Sequence, residues 1–431
     1  MTVNLSDSGS GAAQSERKHE PQDIRQKRAS VPNGGLLAWL QVAGSFMLYF
    51  NTWGIINSFG AYQTYYMSGL LDRSSASSIS WLGSVQSFLV MFISVVAGPL
   101  FDAGYFRALI TVGSSLVVLG YMLLSLCAEN KYWQVMLAQG VCISIGSGII
   151  FVPSVAVLTQ YFDTRLSFAV GIAASGSSVG GVVYPIMFRN LVYRLGFGWT
   201  TRITGFVALA GLMFANVALR LRRHPMKGKR RVFIDRSAFH DGPFTVTCLS
   251  VFVAFTGLYT PFYYIQSFAL NGGLAGGDLA LNLLAILNAG SVFGRILPNF
   301  LADKFGPFNI MTPCAALTGV LIFCLLGVHD AAGLVIYCVF FGFFSGTFVS
   351  LLPSLLVSIS PDRDLIATRM GMSFTTSAVG LLIGSPIAGA ILGEGSYKHV
   401  WLYSGVLVLT GAMGILLARM LSTNWRWKVR V

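Results

Sequence analysis

Charged residues are scarce in this chain of 431 residues. Asp, Glu, Lys and Arg together make up 10% of it, whereas a soluble globular chain carries about 25%. A folded soluble protein of this length needs far more polar surface than such a composition supplies. The composition therefore excludes a soluble globular domain.

Several chemical motifs are missing as well. The chain has no P-loop of the form G-x-x-x-x-G-K-[ST], no H-E-x-x-H and no C-x-x-C among its six cysteines. We therefore expect packing thiols instead of a zinc site or a disulfide framework. The chain thus lacks the sequence motifs expected of an enzyme or an ATP-driven pump, and no cofactor or metal is expected.

Long apolar runs are abundant. Segments 109–127 and 333–355 contain no Asp, Glu, Lys or Arg, and each is long enough to cross about 30 Å of hydrocarbon. The pattern predicts an all-α membrane protein with twelve transmembrane helices. The expected spans are 36–58, 79–99, 108–128, 133–158, 166–188, 199–220, 244–269, 279–302, 309–328, 332–358, 366–391 and 399–420.

Basic residues are distributed unequally between the two sides. With both termini inside, 22 of the 29 Lys and Arg fall on inner segments, six fall on outer segments, and Arg295 lies within a span. This positive-inside pattern predicts cytoplasmic termini. It also explains the net charge of +13, because the basic loop 222–236 faces anionic lipid headgroups. Nucleic-acid binding becomes the weaker alternative.

The chain also repeats itself weakly at a period of 200 residues. The matches fall at equivalent places in the span pattern, which predicts two six-helix halves related by a pseudo-two-fold axis, the architecture of the major facilitator fold. We expect a disordered cytoplasmic tail at 1–32, halves at 33–221 and 244–420, a basic cytoplasmic linker at 222–243 and a basic cytoplasmic tail at 421–431. The matching pairs include Gly171 with Gly371, Ser177 with Ser377, Pro153 with Pro353 and, one residue out of phase, Asp102 with Asp303.

Two short loops carry matching acids after the second and eighth spans. Asp102 precedes Arg107, and Asp303 is followed by Lys304. An acid at such a place can accept hydrogen bonds from the start of a neighbouring helix and pair with a cation. These four residues are therefore predicted gate residues, with a solvated turn as the alternative.

Arg295 is the one formal charge predicted at hydrocarbon depth, since the sixteen acids and five histidines fall in tails, loops or span edges. An intramembrane charge is costly and commonly faces a cavity or a partner. Arginine cannot relay protons, but it can hold an anion. Arg295 is thus a predicted substrate contact, with snorkelling to the inner headgroups as the alternative.

Uncharged polar residues in the spans provide further candidates for the substrate pathway: Asn51, Asn57, Tyr263, Asn288 and Ser177. Ser177 lies in a segment rich in small residues, where simple helix packing is the alternative. Tyrosines near span ends more often belong to the interfacial belt than to a binding site.

Several stretches resemble the monocarboxylate-porter family of the major facilitator superfamily, in its fungal branch. The opening Pro32-Asn33-Gly34-Gly35-Leu-Leu-Ala-Trp39 resembles the P-D-G-G-x-x-A-W motif of that family. The resemblance covers residues 32 to about 420. Further matching stretches are 58–66, 79–86, 171–185, 294–308 and 368–372.

The chain departs from this family at three positions. Animal proton-coupled members have Asp at the place of Asn33, Lys at the place of Asn57, and Asp at the place of Ser291. The resemblance thus implies that the anion-holding Arg295 is kept, whereas residues linked to proton coupling are not. Fungal relatives include secondary-metabolite exporters and monocarboxylate or vitamin permeases.

Together these patterns predict a secondary transporter in the plasma membrane that moves a small organic, anionic substrate, with efflux favoured. Uptake of a monocarboxylate or similar small anion is the alternative, and a non-transporting receptor is a remote one. Expected partners are the substrate and the anionic cytoplasmic leaflet, while protein partners stay open.

Overall fold

A computed structural model describes residues 31–222, 234–362, 365–394, 396–426 and 429, and its regular structure there is helical. Nearly all of the predicted N-terminal tail and half of the basic linker 222–243 lie outside the described residues. Part of the C-terminal tail lies outside them too.

The first half begins with four helices that are partly broken into segments. α1 consists of Leu36–Phe50, Trp53–Asn57, Phe59–Tyr65 and a π-helical turn at Tyr66–Leu70; α2 of Ala76–Phe92 and Ser94–Asp102; α3 of Phe106–Leu124; and α4 of Tyr132–Val135, Met136–Ile143, Ser144–Ala156 and Val157–Gln160.

The next two helices form one helical stretch, Leu166–Ala218, which turns at Gly196. Gly196 has a φ of 74°, a conformation that glycine adopts without steric cost. We name the two parts α5 (166–195) and α6 (197–218). α6 returns along α1, because Gln41 near the start of α1 donates a hydrogen bond of 3.2 Å to the carbonyl of the last residue of α6.

The second half repeats this plan with longer, less interrupted helices. A short 3-10 helix at Arg236–His240 precedes α7, which comprises Gly242–Leu258 and Thr260–Asn271. The remaining helices are α8, Gly277–Phe305; α9, Pro307–Cys324 with a 3-10 turn at Leu325–Gly327; α10, Ala331–Ser358; α11, Ile366–Glu394; and α12, Tyr397–Ser422.

The number of spans agrees with the sequence. Ten described helices are long and apolar enough to cross a membrane, and one of them, Leu166–Ala218, contains both α5 and α6. The segmented α1 supplies the remaining span. The predicted all-α membrane fold is thus confirmed, and α1 to α12 are its twelve helices.

α1 is longer than its predicted span 36–58, because the helix continues to Leu70. It is interrupted at Ser58, whose hydroxyl donates to the carbonyl of Ile55 (2.6 Å). Beyond this break, Tyr62 and Tyr66 are buried within the first half. Their polar hydroxyls lower the hydrophobicity of this segment, which is why the sequence predicts an end of the span at residue 58.

The two halves meet where α5 packs against α8 and α2 packs against α11. Two glycines of the repeat permit this approach. A Cβ on Gly171 of α5 would lie less than 3.0 Å from the carbonyl of Arg295, and one on Gly371 of α11 less than 3.0 Å from that of Ser94. Both crossings therefore require a residue without a side chain at the same repeat position.

Candidate substrate pathway between the two halves

The end of the bundle where α6 finishes and α7 begins, which we call the linker end, joins the halves through two aspartates. Asp102 at the end of α2 accepts hydrogen bonds from the N–H and the hydroxyl of Thr368 in the first turn of α11, both at 2.8 Å. Asp303 in the last turn of α8 accepts from the N–H groups of Ser167 (2.8 Å) and Phe168 (2.9 Å) at the start of α5. Each half thus caps a helix of the other.

The two basic residues predicted beside these acids lie elsewhere. Arg107 donates to the carbonyl of Asn216 on α6 (2.5 Å), a contact within its own half. Lys304 is exposed, with its ammonium 4.6 Å from the ring centre of Phe300. The structure therefore places each of Asp102 and Asp303 at the start of a helix of the opposite half. It does not place Arg107 or Lys304 beside these two acids.

Arg295 lies inside the protein, with only 6% of its surface exposed. Its Nε donates to the hydroxyl of Ser291 one turn earlier on α8 (3.1 Å), and its Nη1 donates to the carbonyl of Ala174 on α5 (3.4 Å). The guanidinium is therefore held between the halves. The snorkelling alternative required it to extend to the lipid headgroups, and this buried position does not fit that alternative.

A central cavity of about 10 Å³ adjoins this guanidinium. That volume accommodates about one water molecule, so the space is closed to any organic substrate in this conformation. Five of its twelve lining residues are aromatic, and they come from both halves: Tyr49 and Trp53 of α1, Phe151 of α4, Phe255 of α7 and Phe374 of α11.

The sequence analysis did not select these aromatic residues. Trp53 carried little signal, because it lies near the end of the predicted span 36–58, where interfacial tryptophan is common. In the structure its ring lies 5.6 Å from that of Phe151 and 6.1 Å from that of Tyr259. The others are phenylalanines and a tyrosine within apolar runs, where sequence does not separate cavity walls from core.

A row of polar contacts continues from Arg295 along the seam between α5 and α8. The hydroxyl of Ser178 donates to that of Ser291 (3.0 Å), and further along α8 the amide of Asn57 donates to that of Asn288 (3.4 Å). All four side chains are buried. The predicted candidates Asn57 and Asn288 are thus brought together across the halves.

Three other candidates have different surroundings. Tyr263 lies within 3.2 Å of the Ser87 hydroxyl on α2, which is also a contact between halves. Asn51 accepts from the hydroxyl of Tyr184 (2.7 Å) inside the first half, and Ser177 donates to a carbonyl of its own helix (2.8 Å). Asn51 and Ser177 are therefore placed in helix packing rather than at the central cavity.

A larger cavity, of about 130 Å³, lies between the halves at the far end of the bundle, opposite the linker end. Segments of α1, α5, α7 and α8 line it. Arg189 of α5 crosses it, donating to the side-chain oxygen of Asn282 on α8 (3.1 Å) and lying 4.0 Å from the carboxylate of the exposed Asp278.

A charged cluster that sequence reasoning missed anchors the end of the linker. Arg369 of α11 is buried and forms 2.8 Å ion pairs with Asp235 and Asp241. Burial disfavours the carboxylate of Asp235, but hydrogen bonds from Ser237 and Arg369 outweigh this and lower its pKa below the ordinary value. The linker is thereby fixed to the residue next to Thr368.

Among the described residues, no group of three or more His, Cys, Asp or Glu could hold a metal ion. The described part of the pathway instead offers a buried guanidinium, amides, hydroxyls and aromatic rings. Groups of these kinds are suited to holding and orienting an organic molecule by hydrogen bonds, charge and ring contacts.

Comparison with known proteins agrees with this arrangement. A solved structure of the E. coli fucose:proton symporter FucP superposes with a TM-score of 0.64 over 88% of this chain and 98% of that chain, at 16% identity. The MFS-type transporter dbaD of Emericella nidulans is 44% identical over 95% of this chain and 94% of its own length. The Aspyridones efflux protein apdF of the same organism is 36% identical over 92% of this chain and 80% of its own. The sequence model of the Major Facilitator Superfamily matches residues 41–312 and 283–428 of this chain. The chain is a transporter that belongs to the major facilitator superfamily.

Proposed function

We propose that this transporter exports a small acidic organic molecule, of the kind made as fungal secondary metabolites, across the plasma membrane. The observation that carries the proposal is the buried guanidinium of Arg295 beside the central cavity between the halves. In the major facilitator fold the substrate site lies near mid-membrane at this interface.

The surroundings of Arg295 support an acidic substrate. Ser291 and the Ala174 carbonyl occupy two of its donors, and the only buried acid among the described residues is Asp235, at the linker end. A guanidinium with no nearby carboxylate favours a bound anion, and its planar fork suits a carboxylate or an enolate. The aromatic walls suit the ring systems of such a molecule.

The relatives support export. The Aspyridones efflux protein, named for export of a metabolite, is similar over 92% of this chain. The resemblance to monocarboxylate porters, carried by Pro32–Trp39 and Arg295, supports an acidic cargo and keeps uptake of a small monocarboxylate as the second candidate. The positive-inside distribution supports cytoplasmic termini, with the linker end facing the cytoplasm.

The two cavities support transport by alternating access. The central cavity is too small for a substrate, and the linker end is closed by the Asp102 and Asp303 caps. Binding from the cytoplasm therefore requires these caps to separate, and release requires the seam between α5 and α8 to part at the far end.

The test compares acids with their neutral methyl esters in vesicles reconstituted with the purified protein. Counterflow of a panel of organic acids identifies the transported class. Arg295→Gln should then weaken transport of the acid about ten- to a hundredfold, because a hydrogen bond to a charged group contributes roughly 1.5–3 kcal/mol. Transport of the ester should change little, and Arg295→Lys should restore part of the acid transport.

Arg202→Gln is the matched control, because Arg202 donates to the Ser125 hydroxyl (3.2 Å) and lies over Trp199, away from the central cavity. Equal losses for acid and ester in Arg295→Gln, or no loss for either, would show that Arg295 packs the interface without binding an anion.

A further inference from the structure

The cavity at the far end has the composition of a second binding site. It is about 130 Å³ in volume, which is smaller than pockets for drug-sized ligands and suits a single ring. Aromatic side chains of Tyr65, Phe188 and Tyr193 line it beside the guanidinium of Arg189. Tyr193 is 81% exposed and marks the mouth.

Arg189 is only lightly engaged in this cavity. It contacts the neutral amide of Asn282 and the carboxylate of Asp278, whose side chain is fully exposed, so solvent screens that 4.0 Å ion pair. An acid entering the cavity can replace both contacts at small cost, since the guanidinium keeps a hydrogen-bonding partner throughout.

The position of the cavity relates it to Arg295. Asn282 and Arg295 lie on the same helix, α8, about 20 Å apart by the rise per residue of an α-helix. Between them the seam carries the polar pairs formed by Asn288 with Asn57 and by Ser291 with Ser178. Two guanidiniums thus lie at the ends of one polar row between the halves.

We propose that the cavity at Arg189 is a second, outer subsite for an aromatic carboxylate or enolate, which the acidic substrate occupies on its way between Arg295 and the outside. The proposal deepens the proposed function and rests on it for the identity of the cargo. The anion-binding property of the cavity can nevertheless be measured independently of transport.

The first measurement uses a thiol introduced by Ala285→Cys, because Ala285 lines the cavity. The accessible native cysteines are replaced by serine, and the protein is held in lipid nanodiscs. When each rate is divided by that reagent's rate with a free thiol in solution, anionic sulfonatoethyl methanethiosulfonate should modify this thiol about tenfold faster than the cationic trimethylammonium analogue. Arg189→Gln should remove the preference and Arg202→Gln should keep it. A cationic preference, or an anionic one that survives Arg189→Gln, would overturn the proposal.

The second measurement uses benzoate as the probe and benzamide as its neutral match. Benzoate should slow modification of the introduced thiol severalfold and benzamide should not. This protection should be lost in Arg189→Gln, partly kept in Arg189→Lys and fully kept in Arg295→Gln. Equal protection by benzamide, or loss of protection in Arg295→Gln, would overturn the outer subsite.

The two proposals fail separately. The central site is judged by transport of acid against ester in Arg295→Gln, whereas the outer subsite is judged by benzoate protection with Arg295 intact or replaced. If Arg189→Gln does not fold, the ratio of the modification rates of the anionic and cationic reagents in the Ala285→Cys protein still tests the outer subsite, because that protein retains the native guanidinium.

Discussion

Asp102 at the end of α2 accepts two hydrogen bonds of 2.8 Å from Thr368 at the start of α11. Asp303 makes the equivalent contact in the other direction, to the first turn of α5. The free N–H groups and positive dipole of a helix start favour a carboxylate at this place. The repeated sequence therefore provides a pair of reciprocal caps, and both caps join different halves.

These caps lead to the first prediction. Asp102→Asn and Asp303→Asn should each destabilise closure of the linker end by roughly 0.3–1 kcal/mol, because they remove the negative charge at a helix start, and the double variant should lose about twice that. Substrate affinity measured on the purified protein should change little. Spin-label distances between Tyr105→Cys and Phe305→Cys, two exposed sites on opposite halves, should shift toward longer separations.

Thr368→Val provides a finer comparison, because it removes the hydroxyl bond to Asp102 and leaves the backbone bond. Its shift should be smaller than that of Asp102→Asn. Unchanged distances and normal transport in both aspartate variants would support the solvated-turn alternative.

The second prediction concerns the close crossings at Gly171 and Gly371. Alanine at either position places a Cβ against a backbone carbonyl of the opposite half, which has little freedom to move. Gly171→Ala and Gly371→Ala should therefore open the linker end and slow transport at least tenfold. Gly393→Ala, where a Cβ meets nothing within 4 Å, is the control. Spin-label distances across the linker end that match the wild type in both variants would contradict the prediction that these crossings need glycine.

How much of this could be predicted from sequence differs between the fold and the site. The twelve helices follow from apolar runs, and the pairing of Asp102 with Asp303 follows from the repeat, because both signals are local or periodic. The partners Thr368 and Ser167 do not follow, since the contact joins elements more than a hundred residues apart. Arg107 was misplaced for the same reason, because its nearest partner is on α6.

Polar residues were the harder case. Asn51 and Asn57 are both asparagines of α1, yet the first bonds Tyr184 inside one half and the second faces Asn288 of the other. Six positions rotate a helix by more than one turn, and which face meets the interface depends on packing that the sequence does not specify. Candidates chosen by residue type alone therefore divide between pathway and core.

The third prediction concerns Asn33, where the resembling family has Asp. Its side-chain oxygen accepts from the N–H groups of Asp163 (2.7 Å) and Thr164 (2.9 Å), in the turn between α4 and α5 at the linker end. A carboxylate accepts the same two bonds. Asn33→Asp should thus leave transport and its pH response within about twofold of the wild type, while Asn33→Ala should cost about 1 kcal/mol of stability.

Thermal unfolding of the two variants in detergent measures the difference. A new proton dependence of transport in Asn33→Asp would instead link this position to coupling, and would contradict its assignment to the fold of the turn.

The fourth prediction follows from Arg369 and its two aspartates. The pKa of Asp235 is lowered in the folded protein, so its stabilising contribution is complete above the ordinary value of 3.8 and is lost as pH falls through the lowered value. Unfolding temperature should therefore drop on acidification below about pH 4, and Asp235→Asn should flatten that part of the curve.

Arg369→Gln should be more damaging than Asp235→Asn, because it leaves two carboxylates without their cation; buried pairs broken in this way cost about 3–5 kcal/mol. Asp278→Asn is the control, since that side chain is fully exposed. An acid-unfolding curve of Asp235→Asn that coincides with the wild type would contradict the role of this ion pair.

The last prediction concerns proton coupling. Of the described residues, Asp235 is the only buried acid, and it lies at the linker end in an ion pair with Arg369. The position one turn before Arg295 is Ser291, whose hydroxyl bonds the guanidinium without being able to take up a proton in the physiological range. Transport of a sulfonate substrate, which stays ionised throughout, should therefore change less than about twofold when a pH gradient is imposed on the vesicles.

Ser291→Asp installs a carboxylate beside Arg295, where it competes with the substrate for the guanidinium and can be protonated when the substrate arrives. That variant should bind the acid at least tenfold more weakly and gain a dependence on the gradient that a protonophore removes. Ser291→Asn separates the effect of charge from that of size. Gradient-driven accumulation by the wild type that collapses with a protonophore would mean that a proton-carrying group outside this row of residues drives the transporter.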